Sequence, residues 1–265
     1  MLVFFFGLFW GSFLKVLADR LPKGESPIGG RSYCEYCKHV LGVMDLLPVV
    51  SFLLSRGRCR YCKKSLSLTY PLSEILTGVV FATPVLYLNY ELGIIHSASS
   101  GQVNYEYFLQ LFFFIFVLSG MVVIFFSDIK YYIIPFQVLL PSLAVVTIWQ
   151  WYFHPEMIVS FLVSGLSAFI FFLLIFLLTR GRGMGFGDVI YAMYMGVVLG
   201  FPGIIVGLYV AFLTGAMVSI ILILTGKKKL KGGVIPFGPF LIFGTFIAMF
   251  WGVGVGKIIM SYLYL

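Results

Sequence analysis

Apolar runs recur along the whole of this chain, and they limit its fold more than any other feature. Each run has about 20 residues, which is the length of a helix that crosses roughly 30 Å of hydrocarbon. Of the 265 residues, 61% are hydrophobic and only 11% are charged, which excludes a water-soluble domain. Because the backbone must satisfy its own hydrogen bonds inside a bilayer, the runs are expected to be helices. The sequence therefore predicts an all-α polytopic membrane protein with about eight transmembrane helices.

One polar insert separates the first predicted span from the others. We place the spans at 1–20, 71–90, 107–127, 133–152, 156–179, 188–201, 203–225 and 234–262. The first run lacks the basic start and the small-residue cleavage site of a signal peptide, so we expect a retained helix. The predicted domains are the first transmembrane helix at 1–20, a cytoplasmic insert at 21–70 and a membrane core at 71–265.

The charges favour a membrane topology and not a nucleic-acid partner, although the net charge is +8. Lysines and arginines cluster in 21–70, 128–132, 180–187 and 226–233, whereas the loop 91–106 has none. The positive-inside rule then places the basic loops in the cytoplasm and both termini outside. Membrane lipids are the expected surroundings.

Two aspartates lie at the predicted cytoplasmic ends of apolar spans. Asp128 ends the third span and Asp188 opens the sixth. An ionisable residue beside hydrocarbon is costly and is a functional candidate by default. Two carboxylates at one depth can share a proton, so that one activates water and the other polarises a carbonyl. This pattern predicts an aspartic protease that works at a membrane surface, although a helix-capping Asp188 and an interfacial Asp128 are the simpler alternatives.

Glycines precede the second aspartate in Gly185-Phe186-Gly187-Asp188. Since glycine has no side chain, Gly185 and Gly187 would let a substrate backbone approach the carboxylate closely. The alternative is that they only shape the turn before the helix.

All four cysteines lie in the polar insert, as two C-x-x-C pairs. The pairs are Cys34 with Cys37 and Cys59 with Cys62. This spacing is typical of a tetrahedral Cys₄ zinc site, whereas the alternative is two disulfides. A cytoplasmic insert lies in a reducing compartment, which favours zinc. We predict a small structural zinc-binding insert, because so short a segment has little core of its own.

Two further charged residues lie about a turn inside the first two spans. For Lys15 and Glu74, one interpretation is a snorkelling lysine and an acid at a helix start. The other is an accessory ion pair between the two helices. The sequence leaves both open.

The combination of motifs resembles the type IV prepilin peptidase family, whose members are GxGD aspartic membrane proteases, over nearly the whole chain. The similar pieces are Gly11-Ser12-Phe13-Leu14, Arg20-Leu21-Pro22, the paired cysteines, Asp45-Leu46-Leu47-Pro48, Tyr70-Pro71-Leu72-Ser73-Glu74, Asp128 with Pro135, the Gly185–Asp188 motif and Ile235-Pro236-Phe237-Gly238-Pro239. Each motif is weak evidence alone, but the order of all of them along the chain is specific to the family.

The resemblance implies a specific function, which the composition alone cannot indicate. The substrates would be prepilins or pseudopilins of type IV pili or type II secretion, cut after a glycine at the cytoplasmic face of the bacterial inner membrane. Members with the cysteine-bearing insert commonly also methylate the new N-terminus with S-adenosylmethionine. Asp128 and Asp188 match the family's catalytic positions. The chain departs from the family pattern at Lys15, Phe136 and Ile190. None of these departures removes a catalytic aspartate, and those at Lys15 and Ile190 bear on substrate or cofactor handling.

Two other classes of function compete with this interpretation. A proton-coupled transporter with a regulatory zinc module would place its acids near the bilayer midplane, whereas these acids are predicted at one interface. A membrane scaffold would use the zinc insert to bind a partner, and nothing else in the sequence supports it.

Overall fold

The computed structural model describes residues 1–26, 29–91, 105–225 and 235–263. In these ranges the regular structure is helical, with two isolated antiparallel bridges and no strand. The α-helices are α1 Leu2–Arg20, α2 Val50–Leu54, α3 Thr69–Glu91, α4 Tyr105–Tyr131, α5 Phe136–Phe153, α6 Ile158–Leu178, α7 Phe186–Leu224 and α8 Gly238–Leu263. Most of the predicted outer loop 91–106, and all of the basic loop 226–233, lie outside the described residues.

The helix α7 accounts for two of the predicted spans. At about 1.5 Å per residue, its 39 residues reach roughly twice the thickness of the hydrocarbon core. Its backbone is not helical at Gly200 and Phe201, where the sequence predicts a turn between spans. Among the described residues, six helices are long and apolar enough to cross a membrane, α7 among them, and α8 adds a shorter apolar stretch over Gly238–Gly252. With α7 counted as two segments and α8 included, the apolar segments agree with the prediction of about eight spans. The all-helical membrane fold is thus confirmed.

A glutamine on α5 compensates for the break in α7. Pro202 has no N–H to donate, so the carbonyl of Val198 loses its usual partner in the next turn. The side-chain amide of Gln150, which is buried, donates to the carbonyls of Val197 and Val198 at 3.5 and 3.4 Å. A buried side-chain donor thus satisfies backbone groups that cannot reach water.

The chain divides into two compact units, an N-terminal unit Met1–Phe126 and a C-terminal unit Ser127–Leu265. In the N-terminal unit, α1 packs on α3 through small residues. A Cβ atom added to Gly7 would lie 2.7 Å from the Cα of Gly78, and one added to Gly11 would meet Thr77. Small side chains let membrane helices approach closely, which is how their packing is stabilised without a hydrophobic driving force.

In the C-terminal unit, α7 packs between α6 and α8 in the same way. A Cβ added to Gly196 would lie 2.6 Å from the Cα of Gly165 on α6. In the second half of α7, a Cβ added to Gly244 of α8 would clash with the carbonyl of Gly207. This tight packing fixes the starts of α7 and α8, which carry the residues described next.

Candidate active site and metal centre

Asp128 lies in the last turn of α4. The sequence placed it at the end of the span, and the helix continues three residues further, to Tyr131. The chain then turns at Tyr132, whose φ is +58°, while the hydroxyl of Ser127 donates to the carbonyl of Ile133 at 2.9 Å. Only 5% of Asp128 is exposed. The turn therefore holds a buried carboxylate where α4 ends.

Asp188 lies in the first turn of α7, three residues after the N-cap Gly185. The two residues exchange hydrogen bonds: the N–H of Gly185 donates to Oδ2 of Asp188, and the N–H of Asp188 donates to the Gly185 carbonyl, both at 3.1 Å. An acid at this position satisfies a free N–H and interacts favourably with the helix dipole. Asp188 is 7% exposed, so its carboxylate is both fixed and buried.

The structure brings the two carboxylates together. Asp128 and Asp188 lie within the range of direct electrostatic interaction. The start of α8 lies against Asp128, where the N–H of Gly238 donates to the carboxylate. Among the described residues, Oδ2 of Asp128 is buried and has no hydrogen-bond partner. Two neighbouring buried carboxylates are the arrangement in which one proton is shared, and the unpartnered oxygen leaves one position for it.

The two glycines of the motif have different surroundings. A Cβ added to Gly187 would lie 2.9 Å from the Cβ of Ile134, so the space beside Gly187 is filled by the turn that follows α4. Gly185 remains exposed. Approach of a substrate backbone stays a prediction for both glycines, and Gly187 in addition lets the start of α7 pack closely against the turn that follows α4.

The four cysteines meet in the insert of the N-terminal unit. Their Sγ atoms all lie within 4.8 Å of one another, and all four are free thiols. With Zn–S bonds of about 2.3 Å, tetrahedral sulfurs lie about 3.8 Å apart, and the Sγ atoms of Cys34 and Cys62 are 3.9 Å apart. The thiol cluster fits a tetrahedral metal ion.

The two cysteine pairs have the same local backbone structure. In each, the N–H of the first cysteine donates to the carbonyl five residues later, at 3.0 Å for Cys34 and 2.9 Å for Cys59. In each, the residue after the second cysteine has a positive φ, 58° at Lys38 and 59° at Lys63. A hydrogen bond from the backbone of Cys62 lowers the pKa of Cys59 to about 7. At Cys59 this backbone donor thus favours the thiolate that a metal requires.

Lys15 and Glu74 are both buried, and an ion pair between them stays a prediction. Lys15 forms an ion pair with Asp19 at 2.5 Å and lies over the ring of Tyr70. Glu74 accepts the N–H of Val49 at 2.7 Å. Val49 has a φ of +60°, which is rare for a β-branched residue. The hydrogen bond from Val49 to Glu74 thus connects a strained part of the insert to α3.

Two residues contribute to these sites although sequence reasoning gave them no role. Asp45 accepts hydrogen bonds from the N–H of Gly42 and the hydroxyl of Tyr61, both at 3.1 Å, and pairs with Arg60 at 3.3 Å. It thereby ties the second cysteine pair to the loop between the pairs. The other residue is Gly238. Both lie in segments that carry the family resemblance, which was the only sequence signal for them.

Two family models match adjacent parts of the chain. The bacterial peptidase A24 N-terminal domain matches residues 5–88, and the type IV leader peptidase family matches residues 112–220, the segment that holds both aspartates. The chain belongs to the type IV leader peptidase family. As a member it is a membrane peptidase, and the predicted resemblance is confirmed.

Individual relatives agree with this assignment. A prepilin leader peptidase/N-methyltransferase from Bacillus subtilis (strain 168) is 28% identical over 95% of this chain and 94% of its own length. A protein of the same name from Aeromonas hydrophila is 28% identical over 95% of this chain and 90% of its own length. No solved structure matches the chain significantly. Nothing in these comparisons favours a transporter.

Proposed function

We propose that this peptidase removes the leader from type IV prepilins or pseudopilins by cutting after a glycine at the cytoplasmic face of the membrane. Asp128 and Asp188 are the proposed catalytic residues. The observation that carries the proposal is the buried pair of carboxylates where α4 ends and where α7 and α8 begin. The names of the relatives supply the substrate class.

In the proposed reaction the two carboxylates hold one proton between them. The ionised member takes a proton from water, which attacks the carbonyl of the scissile bond, while the protonated member donates a hydrogen bond to the carbonyl oxygen. The proton then passes to the departing amine. The exposed Gly185 leaves room for an extended substrate backbone beside Asp188.

The proposed activity has a direct test. Purified protein in detergent or lipid discs should shorten a prepilin by its leader, and mass spectrometry should place the cut after the glycine. Addition of S-adenosylmethionine, which would supply the methyl group when bound, should add one methyl mass to the new N-terminus. A prepilin that stays intact would contradict the peptidase proposal, whereas a cut product that never gains the methyl mass would contradict the methylation alone.

The proposed orientation places the dyad in the cytoplasm. Single cysteines introduced into a variant that lacks Cys34, Cys37, Cys59 and Cys62 should react with a membrane-impermeant maleimide from the cytoplasmic side at 180–187. Those at 154–156 should react from the outer side. The test uses the short loops that flank α6. Labelling of both loops from one side would contradict the orientation.

We also propose that the thiol cluster holds a structural zinc ion. All four ligands come from the protein, which is typical of structural zinc sites, whereas catalytic ones keep a position open. The bound ion would fix the two cysteine pairs to each other. The insert is the segment that members with methyltransferase activity share, so we propose that it supports the methyl transfer.

A further inference from the structure

The first residue of α8 lies directly against one of the two carboxylates. Gly238 is buried, and a Cβ added to it would lie 2.5 Å from Oδ2 and 3.1 Å from Cγ of Asp128. Its own N–H donates a hydrogen bond to the same carboxylate. Gly238 thus affects the position of the Asp128 carboxylate in two ways. The lack of a side chain leaves room for the carboxylate, and the backbone N–H holds it by a hydrogen bond.

We propose that Gly238 is a positioning residue for Asp128, and that its lack of a side chain keeps open the space beside the unpartnered oxygen of the dyad. The inference rests on the proposed catalytic role of Asp128. It assigns a role to a position outside both aspartate motifs and on a different helix from either aspartate.

The requirement at Gly238 concerns space and not backbone conformation. Its φ is not in the positive range that favours glycine, unlike that of Gly200 at +62°. The contact also differs from that of Gly187, which meets the apolar side chain of Ile134. At Gly238 the neighbouring atom is Oδ2, which has no hydrogen-bond partner among the described residues. A methyl group there would cover the oxygen that the shared proton requires.

Whether a substitution at Gly238 changes activity or folding depends on which atoms move to relieve the clash. In Gly238→Ala the clash is with the end of a flexible side chain, so rotation of the Asp128 carboxylate relieves it without a shift of the backbone. We therefore expect a misplaced carboxylate in a protein that still folds. A displacement of about 1 Å in an active site can cost on the order of a hundredfold in rate.

The first experiment compares two glycines of α8. Gly238→Ala should lower kcat for a prepilin about a hundredfold, with KM changed less than about threefold, because substrate contacts elsewhere remain. Gly252→Ala is the matched control, since its added Cβ would have no neighbour nearer than 3.9 Å. It should keep the wild-type kcat. A Gly238→Ala enzyme with wild-type kcat would overturn the proposal.

A second measurement does not depend on activity. Any loss of thermal stability caused by Gly238→Ala should disappear when Asp128 is replaced by alanine, because the clashing carboxylate is then absent. The same loss in both backgrounds would show that the methyl group meets something other than Asp128, and would overturn the proposal. If the wild-type protein cleaved no prepilin, the proposed function would fail, and this cycle would still test the contact.

Discussion

Replacement of either dyad aspartate by asparagine should reduce prepilin cleavage at least about a thousandfold. Asparagine keeps the shape of the side chain but can neither share the proton nor accept one from water. Because both carboxylates act in one step, Asp128→Asn and Asp188→Asn together should be no worse than either alone. Initial rates of leader removal, measured by mass spectrometry on folded protein, check the result.

The matched control neutralises an acid away from the dyad. Glu156 is exposed in the short connection between α5 and α6, so Glu156→Gln should keep the wild-type rate. Near-normal cleavage by either dyad variant would remove that residue from the mechanism. Losses that multiply in the double variant would mean that the two aspartates act in separate steps.

Purified protein should contain about one zinc ion per chain, and Cys34→Ser combined with Cys37→Ser should eliminate it. Binding to such sites contributes about 10–16 kcal/mol near neutral pH, so loss of two ligands should unfold the insert. The aspartates lie in the other compact unit, Ser127–Leu265, and we therefore expect methylation to fall more than cleavage. Elemental analysis and the mass of the prepilin product measure the two effects.

A nearby side chain that is not a ligand provides the control. His39 stacks on Tyr61, with 3.6 Å between ring centroids, and is not one of the four clustered ligands. His39→Gln should keep the metal. A wild-type protein without zinc would contradict the metal assignment. Equal loss of cleavage and methylation in the cysteine variant would show that the insert supports the whole protein.

The sequence by itself determined the helical membrane fold and the identity of the chemical groups. Spans about 20 residues long follow from the thickness of the bilayer, and even the break in α7 is predicted at Phe201-Pro202-Gly203, because proline removes a backbone donor. The cysteine spacing likewise predicts a cluster of four thiols. These features depend on local pattern, which one sequence contains in full.

Only the tertiary structure decided which groups meet. Asp128 and Asp188 are 60 residues apart in the chain, and their electrostatic interaction depends on how α4 ends and how α7 and α8 pack. The structure joined Glu74 to the backbone of Val49, 25 residues earlier in the chain, which helix periodicity could not supply. It also placed Gly238 against Asp128. Close approach between helices depends on small residues at matching heights, and a single sequence does not specify that registration.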